Sequence, residues 1–161
     1  MKHLIIFLLF PFLAAAQPII SCTDVIKPYG DFQSPLAFEE TVGALQKTLN
    51  SKGITIFAPI DPHKAAEAVG ESMPPATVII VGNPKVGTAL MQENPRLAIE
   101  LPLKILIYED GKKVNIRYEK IAAIAEKYHL KQTFSTAEKI DAAMQQLIKL
   151  AIGEYRRGTP D

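Results

Sequence analysis

The chain has 161 residues, 48% of them hydrophobic and 22% charged, a globular composition with enough apolar material for one ordinary core. Eighteen Lys+Arg against 17 Asp+Glu give a formal charge of +1, and the nearest thing to a basic cluster is Arg156-Arg157. That balance excludes a general electrostatic attraction to nucleic acid or acidic lipid, so no nucleic-acid partner is expected.

Met1-Lys2-His3 is a short positive start, Leu4 to Leu13 is an apolar run, and Ala14-Ala15-Ala16 supplies small residues for cleavage. This is the pattern of a secretory signal peptide over 1–16, and the run is too short for a membrane span. The expectation is an exported, periplasmic chain with no transmembrane span in its mature part. Cys22 is the one cysteine, which rules out an intrachain disulfide. Ile19-Ile20-Ser21-Cys22 also resembles a loose lipobox, so lipidation at Cys22 stands as an alternative to simple burial or an interchain disulfide.

Residues 17–33 read as an N-terminal arm, with Ser21 to Tyr29 as a candidate first strand. A core domain follows over 34–130. Ser34-Pro35 has the form of a helix N-cap and first helical residue. Phe38, Val42, Leu45 and Leu49 continue at helical spacing to a stop at Gly53. Ile54 to Ile60 is β-branched and short, hence a strand. Asp61-Pro62 starts a brief helix that ends at Gly70, and Thr77 to Val81 is the next strand. Asn83-Pro84 and Asn94-Pro95 repeat the cap-and-proline start. Leu103 to Tyr108 and Val114 to Tyr118 flank Asp110-Gly111, a strong hairpin signal. Ile121 to Tyr128 is helical. The last segment, 131–161, is a C-terminal helix and tail, with Ser135 and Glu138 as a capping box and Ile140, Met144, Leu147 and Leu150 as its apolar face. Together these elements predict an α+β single domain, a small and mostly antiparallel sheet packed by helices on one side.

With these residues in place the chain resembles the bacterial and archaeal family called domain of unknown function 302, from about Ser34 to His129. The likeness rests on the helix ending at Gly53, the Ile60-Asp61 strand end and Gly70 followed by prolines. Gly82-Asn83-Pro84, Gly87-Thr88, Leu90-Met91 and Leu101-Pro102-Leu103 complete it. The resemblance implies a small α+β fold that commonly forms homodimers and has no agreed biochemical activity. The family pattern has a histidine directly after the position of Asp61, whereas here Pro62 intervenes before His63.

Three chemistries are open to the residues. First, a strand running through Gly82 into a helix at Pro84 directs N–H groups outward, which suits a phosphate or carboxylate. Gly82, Asn83, Lys85, Gly87 and Thr88 are then the candidate ligand-binding residues. The loop is not a Walker A motif, because the Gly-Lys-Ser/Thr ending is missing. The plainer account is that Asn83 caps the helix and Gly87 permits close packing. Second, His63 and His129, paired with Met73, Met91 or Cys22, offer a soft site for copper, although no pair has metal-binding spacing. On the plain account His63 faces solvent in a first helical turn and His129 sits at a helix C-terminus.

Third, enzymatic chemistry finds no support in spacing. Cys22 lies in the arm, Ser72 and Ser135 lack a Gly-x-Ser-x-Gly context, and Asp61, Glu67 and Glu71 merely flank a short helix. Met91, Met144, Phe38 and Phe57 have the spacing of core residues. The resulting expectation is a non-catalytic envelope domain, a homodimer, that binds a small ligand or a protein partner. Its concrete form is a lipid or small-anion pocket between sheet and helices. The alternative is a metal (copper) or redox accessory protein using His63, methionines and Cys22, and an enzyme of unknown reaction comes third.

Overall fold

The structure is a computed structural model that describes residues 27–158, without the side chains of 154–158. The leader pattern, Cys22 and the Arg156-Arg157 side chains lie outside the described residues.

Five strands form one antiparallel sheet: β1 (Tyr29–Ser34), β2 (Thr55–Ile60), β3 (Ala76–Gly82), β4 (Leu103–Asp110) and β5 (Lys113–Glu119), in the order β1-β5-β4-β3-β2. The helices are α1 (Phe38–Ser51), α2 (Pro62–Ala68), α3 (Pro84–Glu93), α4 (Ile121–Lys127) and α5 (Phe134–Gly158), with a 3-10 helix over Pro95–Ile99. The fold is α+β, as the mixed strand and helix signals predict.

Alternation along the strands decides which face is dry. Ile79, Val81, Ile105, Ile107 and Ile116 are fully buried on one face, where Leu45 and Leu49 of α1 and Ile148 of α5 meet them. The opposite face carries a row set by register, Ile60–Val78–Leu106–Arg117–Asp31, with Arg117 Nε donating to Asp31 Oδ1 at 2.6 Å. Asp110 and Lys113 pair at the hairpin end, and Gly111 supplies the positive φ that the tight turn requires.

Three element starts differ from the sequence reading. The first strand begins at Tyr29 and runs to Ser34, later than the Ser21–Tyr29 stretch. Gly30 sits inside it, where a Cβ would clash with the ring of its cross-strand partner Tyr118. Ser34 is therefore the last strand residue and not a helix cap. Its hydroxyl accepts the Leu36 N–H at 3.2 Å and bonds Thr41 Oγ1 at 2.7 Å, so the turn it makes delays α1 to Phe38. The start of α1 is instead covered by Glu40, whose carboxylate accepts the Ala37 N–H at 3.2 Å. At the last helix, Ser135 lies within the first turn, and Glu93 on α3 holds residues 131–133, which lead into it.

Candidate apolar ligand site

The residues that converge on one place are those where β3 runs into α3. Asn83 caps that helix through Oδ1, which accepts the Lys85 N–H at 3.1 Å, and Pro84 occupies the first helical position. The Asn83 carbonyl accepts the N–H groups of Val86 and Gly87 at 3.0 and 2.9 Å. The Lys85, Val86 and Gly87 N–H groups of the first turn are thus engaged by Asn83.

Beside the loop lies a cavity of about 420 Å³. Val81 and Leu103 of the sheet form its floor. One wall is α3, through Val86, Gly87 and Met91, and the facing wall is α5, through Ile140, Met144 and Leu147. Ile121 of α4 also lines it. Asn83 and Thr88 are its polar side chains, and among the described residues no charged side chain lines it. Of the five candidate ligand-binding residues, Gly82, Asn83, Gly87 and Thr88 line this cavity, while Lys85 is exposed and does not.

The two loop glycines have different reasons. A Cβ on Gly82 would come within 3.3 Å of the Phe57 ring and 3.5 Å of Pro102, so close packing explains it. A Cβ on Gly87 would meet only Met91 Cε, at 4.0 Å, so close packing does not explain it. Relative to alanine, a mid-helix glycine weakens a helix by about 1 kcal/mol.

Phe57, read from the sequence as ordinary core, belongs instead to the cavity, while Met91 packs against the core and also lines the cavity. The register of β2 against β3 shifts between Ile56 and Ala58, and this bulge leaves Phe57 51% exposed at the cavity's edge. Along α5 the buried stripe is Ala137, Asp141, Met144, Ile148 and Ala151, whereas Ile140 and Leu147 are half-buried and face the cavity. Helical periodicity identifies an apolar face of α5 but does not separate the part that packs from the part that stays open.

Two carboxylates fix the walls. Glu93, at the end of α3, accepts the N–H groups of Lys131, Gln132 and Thr133 at 2.7 to 3.0 Å and the Thr133 hydroxyl at 2.7 Å. The Gln132 N–H, then the Thr133 hydroxyl and the Lys131 N–H, hold its carboxyl well below the usual range, at about 2. Asp141 of α5 is 5% exposed and accepts the N–H groups of Ile121 and Ala122 at 2.8 and 2.9 Å, capping α4 from another helix. Burial pushes the Asp141 carboxyl up, and the Ala122 and Ile121 N–H groups oppose that rise. Tyr118 lies beside it, its hydroxyl raised chiefly by burial. Glu93 therefore joins α3 to the start of α5, and Asp141 joins α5 to the helix that begins at Ile121.

The metal candidates do not converge on this place. His63 is half-buried in α2; its Nδ1 donates to the Met73 carbonyl at 2.8 Å, and its Nε2 lies 3.4 Å from Glu67 Oε1. Met91 lines the cavity, and His63 and Met73 do not. Among the described residues no group of three or more His, Cys, Asp or Glu is placed to hold a metal ion. His129 is exposed just after α4, with φ of 56°.

The family described as Domain of unknown function DUF302 matches residues 31–150. Among solved structures, the chain is similar to the uncharacterized conserved protein DUF302 from Bacillus stearothermophilus. The TM-score is 0.64 at 16% identity, covering 78% of this chain and 96% of that one. That likeness concerns the fold alone. Among curated proteins, 72 residues are 36% identical to the fluoride-specific ion channel FluC 1 of Brucella suis, 45% of this chain and 28% of that protein. The fluoride-specific ion channel FluC 2 of Brucella melitensis matches equally over 72 residues, 27% of its length. The chain thus spans little more than a quarter of the curated relatives it matches. Among the described residues of this chain, no helix is long and apolar enough to cross a membrane.

Proposed function

This chain belongs to the DUF302 family, and from that premise of a fold without an assigned reaction we propose that it is a binding domain for a single-chain amphiphile. The hydrocarbon part occupies the cavity between α3 and α5. One observation carries this reading: a chamber of about 420 Å³ with apolar walls and two uncharged polar residues. Small-molecule sites have this size and this ratio of apolar wall to polar anchor. Met91 and Met144 on facing walls suit a flexible chain, because thioether side chains adapt to what lies against them. Export to the periplasm, read from the leader pattern over 1–16, is part of the proposal, since it places the domain beside lipid. Homodimerisation, implied by the family resemblance, completes it.

Fluoride, named in the channel relatives, is a small hard anion that needs a cation or several donors around it. The cavity offers only the Asn83 amide and the Thr88 hydroxyl as side-chain donors, and among the described residues no cationic side chain lines it. The ion of those relatives is therefore not assigned to this cavity.

Saturable fluorescence enhancement of cis-parinaric acid tests the reading. The companion variant is Ala143→Glu, because Ala143 lines the cavity yet is exposed enough to accept a carboxylate without unfolding the domain. The proposal expects saturable binding by the natural chain and a loss of about tenfold or more in the variant, since a nearby charge disfavours apolar occupancy. No saturable signal, or equal binding by both proteins, overturns it.

A further inference from the structure

Resting on the binding reading above, we infer that Gly87 selects among ligands by hydrocarbon length. Its missing side chain keeps α3 bare where that helix faces the chamber.

Gly87 lies in the body of α3, where a side chain normally favours the helix. Neither of the usual reasons for glycine applies. Its φ is not in the left-handed region, and a Cβ there would meet only Met91 Cε at 4.0 Å. The space it leaves is the cavity itself. Gly82, five residues earlier, shows the contrast, because there the Phe57 ring and Pro102 occupy the place of a Cβ. Gly43 and Gly153 also have room for a side chain, but neither lines the cavity. Helix stability surrendered on the wall of an apolar chamber is what a volume-setting position looks like.

A side chain at 87 projects toward Met91 and shortens the space available to a chain lying between α3 and α5. Bulk at this position should therefore penalise long hydrocarbons and spare short ones. A residue that merely stabilised α3 would change affinity for all lengths together, or for none.

The test uses the natural chain, Gly87→Ala and Gly87→Leu, with saturated fatty acids from octanoate to octadecanoate competing against cis-parinaric acid. Each protein's melting temperature is recorded in parallel. Gly87→Leu is expected to weaken the longest bound acid about tenfold, equivalent to roughly two methylenes excluded from burial, and to move the best competitor to a shorter acid. Gly87→Ala should move it in the same direction by less while raising the melting temperature, and it carries the test if the leucine variant does not fold. Binding by the natural chain with an unchanged length preference in Gly87→Ala and in any folded Gly87→Leu overturns the role of Gly87 and leaves the binding reading intact. Failure of the natural chain to bind any acid overturns both.

Discussion

Asp141 accepts the N–H of Ile121 at 2.8 Å, so the first residue of α4, which lines the cavity, is held by a carboxylate on α5. Lys120, in the N-cap position, makes no side-chain cap of its own. A second N–H, from Ala122, depends on the same carboxylate. Asp141→Ala leaves both donors buried without an acceptor and should destabilise the domain by about 2–4 kcal/mol. Urea unfolding of the variant against the natural chain measures it, and a loss below about 1 kcal/mol would show that water or another group replaces the cap.

Glu93 gives the fold an acid-sensitive joint. Its carboxyl is held at about 2, below its ordinary value of 4.5, chiefly by the Gln132 N–H, the Thr133 hydroxyl and the Lys131 N–H. A lowered folded pKa means stability that is present above pH 4.5 and is lost as pH falls toward about 2. Glu100 is lowered in the same sense by Lys127 and Tyr128, and buried Asp141, raised by burial, acts in the opposite sense. Both are common to the natural chain and Glu93→Gln, so the difference between the two proteins isolates Glu93. That difference in melting temperature should shrink steadily below pH 4.5. A difference independent of pH would contradict the joint.

Three helices end in the same backbone motif, and one of them uses an unfavourable residue. After α1, α2 and α4, the residue two beyond the last helical position has positive φ: Gly53, Gly70 and His129. In the last case the His129 N–H bonds the Glu126 carbonyl and the Leu130 N–H the Ala125 carbonyl, at 3.0 and 2.9 Å. Glycine adopts this conformation without the Cβ penalty, so His129→Gly should stabilise the domain by about 1 kcal/mol. His129 is exposed, so little packing is lost in exchange. A drop in melting temperature would reveal a tertiary role for the imidazole.

The local signals were legible where a single residue controls its own neighbourhood. Asp61 caps α2 through the Lys64 N–H, Asn83 caps α3, Asn94 caps the 3-10 helix, and Gly111 turns the β4–β5 hairpin. Reading failed where the partner is remote in sequence. Ser135 and Glu138 have the form of a capping box, yet α5 begins before them at Phe134, and Glu93, some forty positions earlier, holds the residues that lead into it. Gly30 interrupts an otherwise plausible strand, and only the ring of Tyr118 explains it. The cavity was half visible. The Gly82–Thr88 loop points to the place, and the sequence leaves lipid and small anion both open as its occupant. The apolar character comes from Ile140, Met144 and Leu147 of a helix far along the chain, whose periodicity alone signals burial.

Methionine methyl resonances test the account most directly. The chain has four methionines, of which Met91 and Met144 line the cavity and Met73 lies outside it, beside His63. In protein labelled with 13C at the methionine methyls and titrated with dodecanoate, the Met91 and Met144 signals should shift together and saturate while Met73 stays in place. Signals that do not move, or a Met73 shift as large as the other two, would contradict an apolar ligand site between α3 and α5.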